Sequence, residues 1–144
     1  SALNDVLISH KNPSAVSLYE IKAGRRAEIQ KSSGLWISTA AGSTAGIASS
    51  GGKTLPFLSR DFEYRPRELC LANIAGYHLT GGVVHPGGIF RIRSMMDSGL
   101  AFIDGGRAVL RFAEGDVLEF VGSGTPLQLV DFKDRLLKYP RRPR

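Results

Sequence analysis

Between Gly34 and Thr54 the chain reads GLWISTAAGSTAGIASSGGKT, a run of serine, threonine, glycine and alanine that closes on Gly52-Lys53-Thr54. Glycines followed by a lysine and a hydroxyl residue can hold phosphates, with backbone N–H groups closing around the oxygens and the lysine reaching the outer ones. The spacing excludes that loop here. With Lys53 as its lysine, the first glycine of G-x-x-x-x-G-K-[ST] falls on Ile47, and Gly46 is one residue too early. A β-branched residue cannot cheaply take the turn that glycine takes. What remains is hydrogen bonding without a phosphate grip. The hydroxyls of Ser38, Thr39, Ser43, Thr44 and Ser49 donate and accept, and small side chains let a ligand approach the backbone. A nucleoside or dinucleotide fits that chemistry. Close packing of a helix on a sheet would use the same small residues, and composition alone does not choose between the two.

The elements that must position this run are strands. DVLISH, the arm through Tyr19 in AVSLYEIKA, GLWIS, RAVLRF and VLEFVG carry β-branched and aromatic residues, several with a period of two. In AVSLYEIKA, Val16, Leu18, Tyr19 and Ile21 stand in strand-like positions; in RAVLRF, Ala108, Leu110 and Phe112 alternate with Arg107 and Arg111. Asp104-Gly105 between two such runs predicts a hairpin, because a tight turn needs positive φ. Gly115-Asp116 marks a second turn and Gly124-Thr125-Pro126 a third, before LQLVDF, so the C-terminal half reads as a meander. The small-residue run predicts one helix from Ser43 to about Ser50, capped by Ser43 or Thr44, stopped by Gly51-Gly52, and offering free N–H groups at its start. From Pro66 to Gly88 the pattern is weak and its glycines suggest long loops. The expected fold is mainly β: an antiparallel sandwich or barrel-like domain with one short helix.

With 144 residues and 42% apolar content, the chain suits one globular domain. We expect a β-rich domain over 1–134 and a basic tail over 135–144, where RLLKYPRRPR concentrates much of the net charge of +6. A Pro-interrupted basic end favours a solvated tail over a nucleic-acid surface, and an aromatic content of 8% is low for a single-strand-binding barrel. The single Cys70 excludes an internal disulfide and suggests a reducing, cytoplasmic setting. No apolar run approaches the ~20 residues of a membrane span. His10, His78 and His85, without clustered cysteines, give no expectation of a metal site.

The wording of three blocks resembles the NAD kinase family. ALNDVLI is similar to that family's A-L-N-E-V strand, SGLWISTAAGSTAGIASSGG to its D-G-L-x-x-S-T-P-T-G-S-T-A-Y-x-x-S-A-G-G segment, and LAFIDGGRAVLRFAEGDVLEF to its hairpin with a later Gly-Asp. STAAGSTA and LPFLSRDFEY look most like the plant-type NADH kinase branch. The resemblance covers most of the chain and is weak from Pro66 to Gly88.

It implies an NAD-binding set. Asn4 and Asp5 match the Asn-Glu pair that hydrogen-bonds adenine and ribose, with the carboxylate one methylene shorter. Thr44 and Ala45 match the Thr-Ala lining the adenosine side, and Ser49 the serine facing the nicotinamide half. Ser33 stands where an aspartate precedes Gly-Leu, Ala41 where a hydroxyl is common, and Gly46 where most members carry tyrosine. An aspartate gains less beside a neutral dihydronicotinamide than beside a positively charged nicotinamide, so Ser33 is compatible with NADH. The family's catalytic G-G-D-G occurs nowhere: the Gly-Gly pairs at 51, 81, 87 and 105 all continue otherwise. The resemblance thus implies the C-terminal β-rich domain of an NAD(H) kinase, with no catalytic residue in this chain. NAD or NADH is the substrate, while ATP or polyphosphate and Mg come with an N-terminal α/β kinase domain. It also implies a homo-oligomer in which a neighbouring subunit completes the site. A non-catalytic dinucleotide-binding or oligomerisation module is the alternative, and a related lipid kinase domain a more distant one.

Overall fold

The computed structural model describes residues 1–70 and 76–122. Among these residues ten strands form two antiparallel sheets. The six-stranded sheet runs β6 (Gly82–Val84), β5 (Phe62–Arg67), β4 (Gly34–Thr39), β1 (Asp5–His10), β8 (Gly99–Ile103) and β9 (Ala108–Arg111). The four-stranded sheet runs β10 (Val117–Val121), β7 (Ile89–Ser94), β2 (Ser17–Ala23) and β3 (Arg26–Ser32). The core lies between them: Val6, Ile8, Leu35, Ile37, Phe62, Tyr64 and Ala101 from one sheet meet Tyr19, Ile21, Phe90 and Ile92 from the other. Tyr64 and Phe90 stack across the gap with ring centroids 4.3 Å apart. Alternation explains the partition, since successive side chains point to opposite faces. In β1, Val6 and Ile8 go inward, leaving Asp5 on the outer face.

Among the described residues the expected mainly β, antiparallel architecture with one short α-helix is present. Four local expectations change. The C-terminal half is no meander: β7 belongs to the four-stranded sheet, the β8–β9 hairpin to the six-stranded one, and β10 returns to pair with β7. Buried Phe112 and Gly115, at φ 85°, turn the chain back between sheets. The buried face of β2 is Ser17, Tyr19 and Ile21, so Val16 is 59% exposed. Among the described residues β9 is a sheet edge with all four residues exposed, Leu110 among them, so its alternation does not reflect a buried face there. Finally, helix α1 covers only Gly46–Ser49. Ser43 is fully buried; its hydroxyl donates to the Ala40 carbonyl and accepts the Leu55 amide, leaving α1 with Ala45 as a cap that makes no side-chain bond. One turn of helix sums too few peptide dipoles to present an anion site.

The Asp104-Gly105 turn forms as expected, with φ of 49° and 69°. β5 was not legible because Pro66 interrupts it. Its missing N–H is tolerated because β6 pairs with Phe62–Tyr64, so that among the described residues the strand is an edge at Pro66. The Gly124 turn, LQLVDF and the basic end lie outside the described residues. Among the described residues no helix is long and apolar enough to cross a membrane.

Candidate functional site

The site is built where β1 begins. Asp104, in the β8–β9 turn, accepts backbone N–H bonds from Leu3 (3.0 Å), Asn4 (2.7 Å) and Asp5 (3.2 Å). From the other side the Thr39 amide donates to the Asn4 carbonyl at 2.9 Å, and the Thr39 hydroxyl donates to the Leu3 carbonyl at 2.6 Å. The backbone of Asn4 is thus gripped between two strands while its side chain is exposed. Burial pulls the Asp104 carboxyl upward, but its three amide donors together hold it below the usual carboxylate range.

Asp5 faces outward in register with Ser38, and Ser38 with Glu63, so three neighbouring strands set a polar row on the outer face. Asp5 is only 7% exposed, and among the described residues nothing donates to its carboxylate. Burial, and secondarily the charge of Asp104, push its pKa up. A carboxylate on a mostly buried residue, with a raised pKa and oxygens that still reach solvent, is a candidate for ligand binding. Glu63, by contrast, is satisfied: both of its oxygens take the Lys53 amide at 2.9 Å, and burial raises its pKa against that bond and the nearby Arg65. The Lys53 side chain is exposed.

The loop from Ala40 to Ser50 lies over this row. Gly42 approaches so closely that a Cβ there would stand 2.2 Å from the Asn4 carbonyl oxygen. Gly46 rests on Trp36, and the Arg65 Nε donates to the Ser50 carbonyl at 2.9 Å. Only Ile47 of α1 is buried. Thr44, Ala45, Ala48 and Ser49 are exposed, so among them smallness is not demanded by packing, whereas at Gly42 and Gly46 it is.

The structure therefore brings Asn4 and Asp5 together with the loop that carries Thr44, Ala45 and Ser49. Ser33 is elsewhere. It sits where the chain crosses from β3 to β4, with its hydroxyl on Glu68, beside a small cavity of about 120 Å³ also lined by Ser9 and Arg67. It lies five positions along the strand from Ser38, about 16 Å at the usual rise. Sequence reasoning missed Asp104, whose Asp-Gly context signals only a turn, and the clamps Trp36, Glu63 and Arg65.

Replacing Asp104 by asparagine is expected to cost about 1 kcal/mol at neutral pH, because charge-assisted acceptance from three amides is lost at a partly solvated position. Asp104 has a depressed folded-state pKa, so its contribution is present above the ordinary 3.8 and fades as pH falls through the lower folded value. Urea unfolding at neutral and acid pH checks this: the difference between variant and parent should shrink in acid.

No family model matches the chain. A rice protein (Oryza sativa subsp. japonica) named "Probable NADH kinase" is 33% identical over 143 residues, which is 95% of this chain. The chain belongs to the NAD kinase family. The "NADH kinase" of Arabidopsis thaliana is 35% identical over 97 residues, or 67% of the chain. The chain spans 44% of the length of the rice relative and 30% of the Arabidopsis one. Among solved structures, an NAD kinase from Archaeoglobus fulgidus in complex with ATP superposes with a TM-score of 0.71 at 17% identity, covering 87% of this chain and 47% of that one. Yeast NADH kinase complexed with NADH gives 0.66 at 20%, covering 84% and 35%. These similarities establish the fold, that of the β-rich C-terminal domain of NAD kinases.

Proposed function

We propose that this domain holds the acceptor dinucleotide, NAD or NADH, of an NAD(H) kinase that phosphorylates the 2'-hydroxyl of the adenosine ribose to give NADP(H). The observation that carries the reading is Asp5: a mostly buried residue whose carboxylate has no donor among the described residues and whose oxygens stay open to solvent, beside the exposed Asn4. Vicinal ribose hydroxyls are donors of the kind it lacks, and bonds to an ionised carboxylate are about twice as strong as neutral ones. Asn4 recognises adenine, Thr44 and Ala45 line the adenosine side, and Ser49 faces the nicotinamide half. Ser33, at the far end of β4, acts at the site of a second copy, which makes the functional unit a homo-oligomer.

Phosphoryl transfer belongs to an N-terminal α/β kinase domain bringing the G-G-D-G motif and ATP or polyphosphate. Among the described residues no group of three or more His, Cys, Asp or Glu side chains could hold a metal ion. This chain alone should give no NADPH from NADH, ATP and magnesium. Titration calorimetry with NAD and NADH tests the binding reading: saturable binding to the parent, preserved in Lys53→Ala, supports it. Loss of binding in Lys53→Ala would return the run to a phosphate loop and overturn the assignment.

A further inference from the structure

Trp36, the single tryptophan, stands on the outer face of β4 between Gly34 and Ser38. A Cβ at Gly46 would lie 2.8 Å from its Cζ2 and 2.9 Å from its Cη2, so the first residue of α1 sits directly on the edge of the benzo ring. The Arg67 guanidinium lies 5.9 Å from the centre of the indole ring. Arg65, also on this face, holds the other end of α1 through the Ser50 carbonyl. A single helical turn does not hold itself in water. Its position is therefore set by what it rests on, and Trp36 is the support at its first residue.

We propose that Trp36 is a positioning residue for the acceptor site, acting through Gly46, with which it forms an obligate large–small pair. The inference rests on the function proposed above: Thr44 and Ala45 precede Gly46 and Ser49 ends the same turn, so the height of Gly46 over the sheet sets where all three meet a ligand. Gly46 is outside the left-handed region, so its backbone admits any residue. The three atoms nearest to such a Cβ all belong to the indole, which makes the pair separable by mutation.

A stability cycle and a binding series test this in the same domain. Gly46→Ala should lower the melting temperature by about 3–10 °C when Trp36 is present, from overpacking against a fixed ring. In the Trp36→Ala background the same change should cost almost nothing. In calorimetry with NADH, Trp36→Ala should weaken binding about tenfold, and Trp36→Ala/Gly46→Phe, which refills the space from the helix side, should recover to within about threefold of the parent. A Gly46→Ala cost that is equal in both backgrounds, or parental affinity in Trp36→Ala, overturns the proposal. If the parent domain binds neither NAD nor NADH, the functional reading fails, and the cycle still decides whether Trp36 seats the helix.

Discussion

Asp5→Asn is expected to weaken dinucleotide binding by about tenfold to a hundredfold, the equivalent of the roughly 1.5–3 kcal/mol carried by a hydrogen bond to a charged group. The same change should make the domain more stable at neutral pH. Burial and then Asp104 raise the Asp5 pKa above 3.8, so the folded state favours its protonated form. The stability linked to that form is present below the ordinary value and is lost as pH rises through the raised one. At neutral pH the ionised carboxylate is thus a cost that asparagine removes. Affinity should show the opposite dependence, rising with pH as Asp5 ionises, and should be flat in the variant. Calorimetry across pH, with thermal melts of both proteins, checks all three statements. An asparagine variant that binds as tightly as the parent would remove Asp5 from the site.

Gly42→Ala should be among the most damaging single changes to the fold. The new methyl would meet the Asn4 oxygen at 2.2 Å, the Asn4 carbonyl carbon at 2.6 Å and the Ser38 hydroxyl at 2.8 Å. The first two atoms are backbone and cannot swing away. The Asn4 carbonyl is already held by the Thr39 amide, so relief requires the loop to lift or the start of β1 to shift. We expect a loss of about 3 kcal/mol, at the upper end of overpacking costs, and loss of dinucleotide binding with it. Chemical unfolding gives the first number and calorimetry the second. A variant that melts within a degree of the parent would show that the loop does not ride on Asn4.

Strands whose alternation matches burial were legible: DVLISH, GLWIS and VLEFV all form where their patterns place them. IFRIRS, with Phe90, Ile92 and Ser94 all inward, carries the same alternation but is not among the strands expected from sequence, because it follows glycines that suggest loops. β5 was hidden by Pro66, whose tolerance depends on the length of a neighbouring strand rather than on its own sequence. Which sheet a strand joins is not a local property, and this is why a meander was expected where the chain crosses between sheets. At the site, Asn4 and Asp5 could be named from the wording of their strand. The grip of Asp104 on their amides spans 99 residues and leaves no trace in any short window. The helix was overestimated because a buried serine hydroxyl looks, in sequence, the same as a capping one.

The crossing of β7, β8, β9 and β10 between sheets also bears on how the molecule assembles. β2 must wait for β7, pairing Tyr19 with Ser94, and β1 must wait for β8, pairing Ser9 with Leu100. Loop closure precedes the reward of such contacts, and topologies dominated by them fold in roughly milliseconds to seconds. As the polypeptide emerges during synthesis, the β1–β4 and β2–β3 pairs can form early while β1 and β2 each keep one open edge. Those edges are templates for pairing with another chain until β7 and β8 arrive. The interval between synthesis of β4 and of β8 is therefore when this domain is most exposed to misassembly.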